Sequence, residues 1–338
     1  MSWGNMSYSY QQSGMGYTTS GGDASALSYQ YLDWSYPNLV GYMESHDEER
    51  VMYKIEQYGN SLGAYNIKNL DTGLNRLKLN AALFFPVPGP KMISEFEELG
   101  YDTSIDADGG NTSPKPILWN YTDVPARVAV YNVYKQLIYL KTHYPSAFNT
   151  TDFEINIGSY NFRTIYLNDP SMQAVVMGNF GLSDTSVSVN FKHTGWWYEY
   201  FTGDSINVTG TSYDFTLNPA EYRLYTSTRI IPPPPSPLGT PMVNAGNNNN
   251  GAVRLFQNFP NPFSGTSVVD FSIPQTMQAR IDIYDITGRT VDVVTDQTFN
   301  AGTYTFNLNG AKFNSGLYYL TLTTSDGSKQ SITISVLK

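Results

Sequence analysis

Six ionisable side chains crowd the segment VGYMESHDEER (residues 40–50): Glu44, His46, Asp47, Glu48, Glu49 and Arg50. A carboxylate beside an imidazole suits proton transfer or stabilisation of a developing positive charge. The same cluster also suits a solvated turn, where a pair of Arg50 with Glu48 or Glu49 contributes about 0–1 kcal/mol. The apolar run before it, PNLVGYM (37–43), reads as a buried strand, although its length does not exclude a helix fragment.

Other chemistries find little support. With no cysteine, disulfides, thiol catalysis and cysteine-ligated zinc are excluded. The three histidines, His46, His143 and His193, lack metal-ligand spacing; His143 is expected to be structural and His193 a loop residue. The Asp-rich DTSIDADGG (102–110) could hold calcium, but it lacks the twelve-residue loop with a terminal Glu. No metal ligand is assigned and no cofactor is required. Neither a phosphate loop nor a dinucleotide fingerprint is present. A net charge of -9 without a Lys/Arg run disfavours nucleic acid. No run reaches the roughly 18 apolar residues of a membrane span. The opening MSWGNMSYSYQQSGMGY lacks the basic region and apolar core of a signal peptide. Trp119, Tyr121 and the aromatics of GWWYEYF (195–201) could stack on sugar; a core role is the favoured expectation. The tripeptides NMS, NTS, NTT and NVT fit the glycosylation pattern and are read as chance.

The elements that must position the cluster follow from period and punctuation. A chain of 338 residues suggests two or three domains. Residues 1–33 show no clear period, and TTSGGDASALSY reads as a surface loop leading into a turn or short helix. NLDTGLNRLKLNAALFF (69–85) spaces Leu70, Leu74, Leu77, Ala81 and Phe84 as a helix, with Asn69 or Asp71 as cap and PVPGP as stop. KMISEF (91–96) is expected as a strand, giving a strand–helix–strand order. Residues 122–145 predict a helix with Asp123 as cap and Pro125 in its first turn. Val128, Tyr131, Tyr134 or Lys135, and Ile138 would share one face, and Pro145 would end it. FRTIYL, QAVVMGNF, VSVNF, WWYEYF, YDFTL and EYRLYT predict an antiparallel β domain. Residues 231–251, rich in Pro and Asn, read as a linker. A second β unit fills 252–338, with Ile281, Ile283 and Ile286 on one buried face and a hairpin at Asp326-Gly327.

Four of these segments, in order, resemble the C-terminal part of an α-amylase-family glycoside hydrolase of the kind found in Bacteroidetes-type bacteria. YMESHDEER resembles the segment after barrel strand seven, and LNRLKLNAALFFPVPGPKMI resembles the next helix and its entry to strand eight. EELGYD (97–102) and SPKPILWNY (113–121) resemble the stretches that follow. The resemblance spans about residues 1–229. It implies that Asp47 is the third catalytic carboxylate, which stabilises the transition state, and that His46 hydrogen-bonds the same sugar. Arg50 and Glu98 are further substrate-binding candidates; the plainer reading of Glu98 is a solvated acidic turn. Ser94, Glu95 and Glu97 stand where such amylases commonly carry Trp, Gln and Gly. The last unit resembles the type IX secretion sorting domain through LFQNFPNPFSGTSVVDFSIP, IDIYDITGR, AGTY, NSGLYYL and the final Lys338.

The expected architecture is multidomain: an incomplete (β/α)8 barrel end (1–148), an all-β amylase C-terminal domain (149–230), the linker (231–251) and a β-sandwich sorting domain (252–338). A whole barrel takes about 250 residues. A retaining glycosidase sets its nucleophile and general acid about 5–5.5 Å apart. In the resembled family both follow strands that precede strand seven, and no segment before Pro37 resembles either. The expectation is therefore the C-terminal part of a secreted enzyme acting on α-1,4-glucans, inactive alone, located outside the cell or on the outer-membrane surface. Its partners would be a starch-like glucan and the type IX machinery. A non-catalytic glucan-binding or surface-assembly module is the alternative, and an all-β adhesin a third.

Overall fold

The computed structural model describes residues 2–107, 109–233, 235, 253–258 and 261–337; Asp108 and most of the expected linker lie outside the described residues. Two compact units divide the chain, Met1–Thr240 and Pro241–Lys338.

The first unit opens with parallel strands. β1 (Ser2–Asn5) pairs with β2 (Leu39–Tyr42), Ser2 opposite Leu39 and Asn5 opposite Tyr42. On the other side of β2, Gly41 donates to the Pro90 carbonyl and accepts from the Met92 amide, so residues 90–92 add a third parallel segment. The crossovers are helical, as βαβ connections require. The first contains α1 (Ser7–Met15) and α2 (Thr18–Gly21). The second contains α3 (Val51–Tyr58), the small hairpin of β3 (Ser61–Leu62) and β4 (Tyr65–Asn66), and α4 (Leu70–Phe84). Among the described residues the parallel strands form no closed barrel.

Two expectations need correction here. KMISEF contributes a single bridge at Lys91, because the chain turns at Ser94: the Glu97 carboxylate accepts from the Ser94 amide and the Glu97 amide donates to the Ser94 carbonyl. Residues 1–33, which show no period, contain β1 and α1. Helix α1 buries Ser7, Gln11, Ser13 and Gly14 beside Tyr10 and Met15, so its inner face carries no apolar signal. Small residues allow close approach: a Cβ on Gly14 would lie 2.8 Å from Ile55 Cδ1 of α3.

Helix α4 buries Leu74, Leu77 and the whole stretch from Leu79 to Phe84. Asn69 holds its N-cap position without a side-chain bond. Helix α5 (Pro125–His143) starts on Pro125, but its cap is Val124, because Asp123 belongs to a 3-10 turn, Trp119–Asp123. Its buried face is Arg127, Val130, Val133, Tyr134, Leu137 and Leu140, with Val128. The predicted stripe was rotated: Tyr131, Lys135 and Ile138 line an open cavity instead. The short α6 (Pro145–Phe148) follows.

Strands β5 (Phe153–Asn156), β6 (Phe162–Asp169), β7 (Met172–Asn179), β8 (Thr185–Asn190), β9 (Gly195–Glu199), β10 (Ser205–Val208), β11 (Ser212–Leu217) and β12 (Tyr222–Thr226) build the β part. Six of them form an antiparallel sheet in the order β10-β9-β12-β7-β6-β5, and β8 pairs with β11 above it. One sheet face, through Ile165, Leu167, Ala174 and Val176, joins the core of α4 and α5. The other, through Val175, Met177 and Trp197, packs on Val189, Phe191 and Leu217 of the β8–β11 layer. GWWYEYF thus splits, with Trp197 in the core and Trp196 exposed.

Arg76 of α4 ties the helical and β parts together. Its fully buried guanidinium donates to the carbonyls of Ser13 and Gly14 at the end of α1, and of Phe180 and Gly181 after β7.

In the second unit β13 (Arg254–Leu255), β14 (Thr266–Ile273) and β17 (Gly302–Asn309) form one sheet. β15 (Met277–Asp285), β16 (Thr290–Phe299), β18 (Gly316–Thr324) and β19 (Lys329–Val336) form the other. Phe271, Ile281, Ile283, Leu320, Leu322 and Ile334 share their core. Ile286, expected beside Ile281 and Ile283, is 74% exposed. It lies beyond β15, in a turn where the Asp285 carboxylate accepts from the Thr287 and Arg289 amides. Asp326-Gly327 closes the β18–β19 hairpin as expected, with Gly327 at φ +87°.

Replacing Arg76 with Met would take the guanidinium from four buried carbonyls, of which that of Ser13 keeps the Gly16 amide as donor. Each buried orphan costs about 1–3 kcal/mol, so R76M should lower stability by at least about 3 kcal/mol in urea unfolding followed by tryptophan fluorescence. An unchanged midpoint would contradict this role.

Candidate functional site

The carboxyl end of β2 delivers the ionic loop, and neighbouring elements hold nearly all of it inward. Ser45 is the pivot: its hydroxyl accepts from the Asp47 amide at 3.2 Å and donates to Glu48. Glu48 also accepts from Asn5 Nδ2, which joins the loop to the end of β1. Glu49 accepts from Ser104 Oγ at 2.7 Å and the Ile105 amide at 2.9 Å, while its carbonyl accepts from Gln11 of α1. Arg50 is buried. Its Nη1 donates to the Ser45 carbonyl at 2.8 Å and to Ser94 Oγ at 3.2 Å, and its guanidinium lies 5.3 Å from the Tyr101 ring centre. Only His46 and Asp47 turn outward, with 88% and 71% of their side chains exposed and 3.4 Å between Nε2 and Oδ1.

Beneath the loop lies a second layer of acids. Glu44 is buried; its Oε1 accepts from the Val51 amide at 2.7 Å, and its Oε2 has no partner among the described residues. Glu97, fully buried, accepts from the Ser94 amide at 3.0 Å and the Tyr134 hydroxyl at 3.1 Å. Loss of hydration pushes Glu44 up to about 7 and is only partly offset by the Val51 amide and Arg50. Burial also raises Glu97 well above the carboxylate range, and the charge of Glu44 adds to it. Two acids in mutual reach, with no salt-bridging cation among the described residues, favour protonation.

Glu98 is near enough to add its charge to the raising of Glu44 and Glu97, but neither His46 nor Asp47 lines its cavity. Half-buried, with its pKa raised by desolvation, it lines a cavity of about 650 Å³ with Ser94, Phe96, Trp119 and Tyr131. Trp119 is 69% exposed and meets Phe96 edge-on at 5.1 Å. Ser94 borders that cavity and also contacts Arg50, so it links the two places. The other sequence candidates lie elsewhere. Tyr121 is buried, donates to Asp102 and stacks on Arg127. That engages Asp102 of the Asp-rich stretch, whose carboxylate also pairs with Arg127. His143 stacks on Tyr139 and His193 on Trp197.

Sequence reasoning did not find the Glu44–Glu97 pair or the role of Ser94. Glu97 was visible only as a departure from the resembled pattern. Nothing in spacing announces that residues more than fifty positions apart share one desolvated pocket.

Residues 257–336 match the family model of the secretion system C-terminal sorting domain. The α-amylase of Anoxybacillus is similar in structure over 64% of this chain and 45% of its own, at 16% identity and a TM-score of 0.47. AmyP, solved in complex with maltose, is similar over 67% of this chain and 50% of its own, at 13% identity and a TM-score of 0.49. The α-amylase of H. orenii is similar over 67% and 49%, at 15% identity and a TM-score of 0.44. This chain therefore spans about half the length of those structures. No curated protein matches it.

The raised pKa of Glu44 fixes a pH dependence. Between the ordinary value of 4.5 and about 7 the folded state binds more protons than the unfolded one. Stability must then fall as pH rises through that window. Glu44→Gln keeps an acceptor for the Val51 amide and removes the titration. It should flatten this fall in urea midpoints measured between pH 4.5 and 8, and raise stability at the upper end; a slope identical to that of the parent protein would contradict the assignment.

Proposed function

We propose that this chain is part of a secreted α-amylase-like glycoside hydrolase acting on α-1,4-glucans. Asp47 would stabilise positive charge at the anomeric carbon, and His46 would hydrogen-bond the same sugar ring. The observation that carries this reading is the position of the two residues, presented together in the loop at the carboxyl end of a parallel strand. In parallel α/β architectures that end gathers the ligand-binding loops. The ordered motifs resembling the amylase family add to it, and the parallel segments are read as the closing part of a (β/α)8 barrel. Arg50, buried beneath Ser45, would position the loop more than touch sugar. Glu98 would serve the rim of the adjoining cavity. The sorting domain supports export through the type IX machinery, with attachment to the outer-membrane surface or release.

Hydrolysis with retention needs two carboxyl groups flanking the bond, about 5–5.5 Å apart. The neighbours of Asp47 in the loop are committed elsewhere: Glu44 is buried on the Val51 amide, Glu48 on Asn5 and Ser45, and Glu49 on Ser104 and Ile105. With Asp47 itself open to water, the electrostatic advantage of an enclosed site is absent. This chain by itself should bind glucan without cleaving it. A non-catalytic glucan-binding module is the second reading, favoured by exposed Trp119 beside the Glu98 cavity, where a ring face and a polar group adjoin.

Sedimentation with insoluble starch and reducing-end release from soluble starch test this together. Binding without turnover is expected, with Asp47→Asn weakening it by up to about tenfold, the worth of one good polar contact. Robust turnover abolished by Asp47→Asn would overturn the claim of inactivity, and no association with starch would overturn the glucan reading.

A further inference from the structure

The sheet face under the β8–β11 layer changes character at one end. Val175 and Met177 are covered by Val189 and Phe191, as a sandwich interior should be. One step toward the edge the same face turns polar. Glu154 of β5 lies opposite Tyr166 of β6, and Asn168 of β6 lies opposite Gln173 of β7. Residues on directly opposed positions share a face, so these side chains and Asn156 continue the inner surface where the covering layer stops. Asn190 and Lys192, leaving β8, form the opposite wall. The result is a cavity of about 320 Å³ in which half-buried Tyr166 is the accessible ring and the core residues Phe191 and Trp197 close the inner end, at the lower end of small-ligand sites.

The amides here are anchored in a way that leaves hydrogen-bonding capacity free. Asn168 donates to Asp152 at 3.1 Å and Gln173 to the Asp169 carbonyl at 3.0 Å, so each keeps its side-chain oxygen. Asn156 donates to Glu154 at 3.0 Å and likewise keeps its oxygen. The side chains of Asn190 and Lys192 make no hydrogen bond among the described residues. Acceptors on one wall therefore face donors on the other, beside the ring of Tyr166. Glu154 and Lys192 are the charges, one of each sign. A phosphate or sulfate would call for clustered cations, and a divalent cation for several carboxylates. Neither condition holds.

We infer that this cavity of the β part is a binding site for a neutral saccharide, one or two rings in extent, separate from the His46–Asp47 loop. Its hydroxyls would pair with the fixed amide oxygens and with Asn190 and Lys192, and one ring would rest against Tyr166. The site does not depend on the reading given to Asp47.

The test is titration calorimetry on the full chain carrying Asp47→Asn, so that binding through the loop is weakened. Maltotriose and cellotriose serve as separate probes, each up to about 10 mM, the range of weak single-site affinity. At least one should bind. Adding Asn190→Ala with Lys192→Ala, both on exposed side chains, should weaken that binding about tenfold or more while the melting temperature holds. Asn168→Ala should weaken it as well. Absence of heat from both trisaccharides would overturn the inference, and so would binding that the double substitution leaves unchanged.

Discussion

The buried guanidinium of Arg50 is the contact on which the site depends. Taking such a cation out of water costs several kcal/mol, and among the described residues no carboxylate pairs with it directly, although the charge of Glu44 is felt. The cost is compensated by the Ser45 carbonyl, the Ser94 hydroxyl and the face of Tyr101. These partners come from two successive βα loops, so one side chain fixes the distance between them. With Ser45 held from below, its hydroxyl can hold the Asp47 amide and Glu48 from above. The outward placement of His46 and Asp47 follows from what is tied down around them.

The same region concentrates negative charge where water is excluded. Glu44 and Glu97 face one another beneath the loop, with the hydroxyl of Tyr134 on Glu97. An ionised pair there would push the two loops apart. Protonation, favoured for both acids by burial, lets the strand end and the Ser94 turn close on each other. This layer shapes the loop without offering an acid to a ligand, which separates structural carboxylates from the exposed Asp47. Arg76 performs a comparable task farther off, binding carbonyls from α1 and from the end of β7. Two buried arginines, Arg76 through four carbonyls and Arg50 through one carbonyl and the Ser94 hydroxyl, thus connect elements distant in sequence.

Legibility followed the physics of each element. Helices α4 and α5 and most of the antiparallel strands carry their period openly, and Asp326-Gly327 states its turn. Strand β1 and helix α1 were invisible, because a four-residue strand and a helix buried through Ser, Gln and Gly have no apolar signature. The α5 stripe was misplaced by one step of rotation, since Val130, Val133, Leu137 and Leu140 form an equally regular row. Ile286 continues an alternation that the Asp285 turn interrupts. In the site, the adjacency of His46 and Asp47 was plain from the sequence. The burial of Arg50, and the separation of Glu98 into its own cavity, arise from tertiary approach and leave no local trace.

The account rests on the Arg50-held loop presenting His46 and Asp47 to sugar. Imidazole proton resonances read this directly, because the chain has only three histidines. Titration with maltotriose should move the His46 signals and leave those of His143 in place, and Arg50→Lys should suppress the movement. His46 signals that stay in place up to saturating maltotriose would contradict the account.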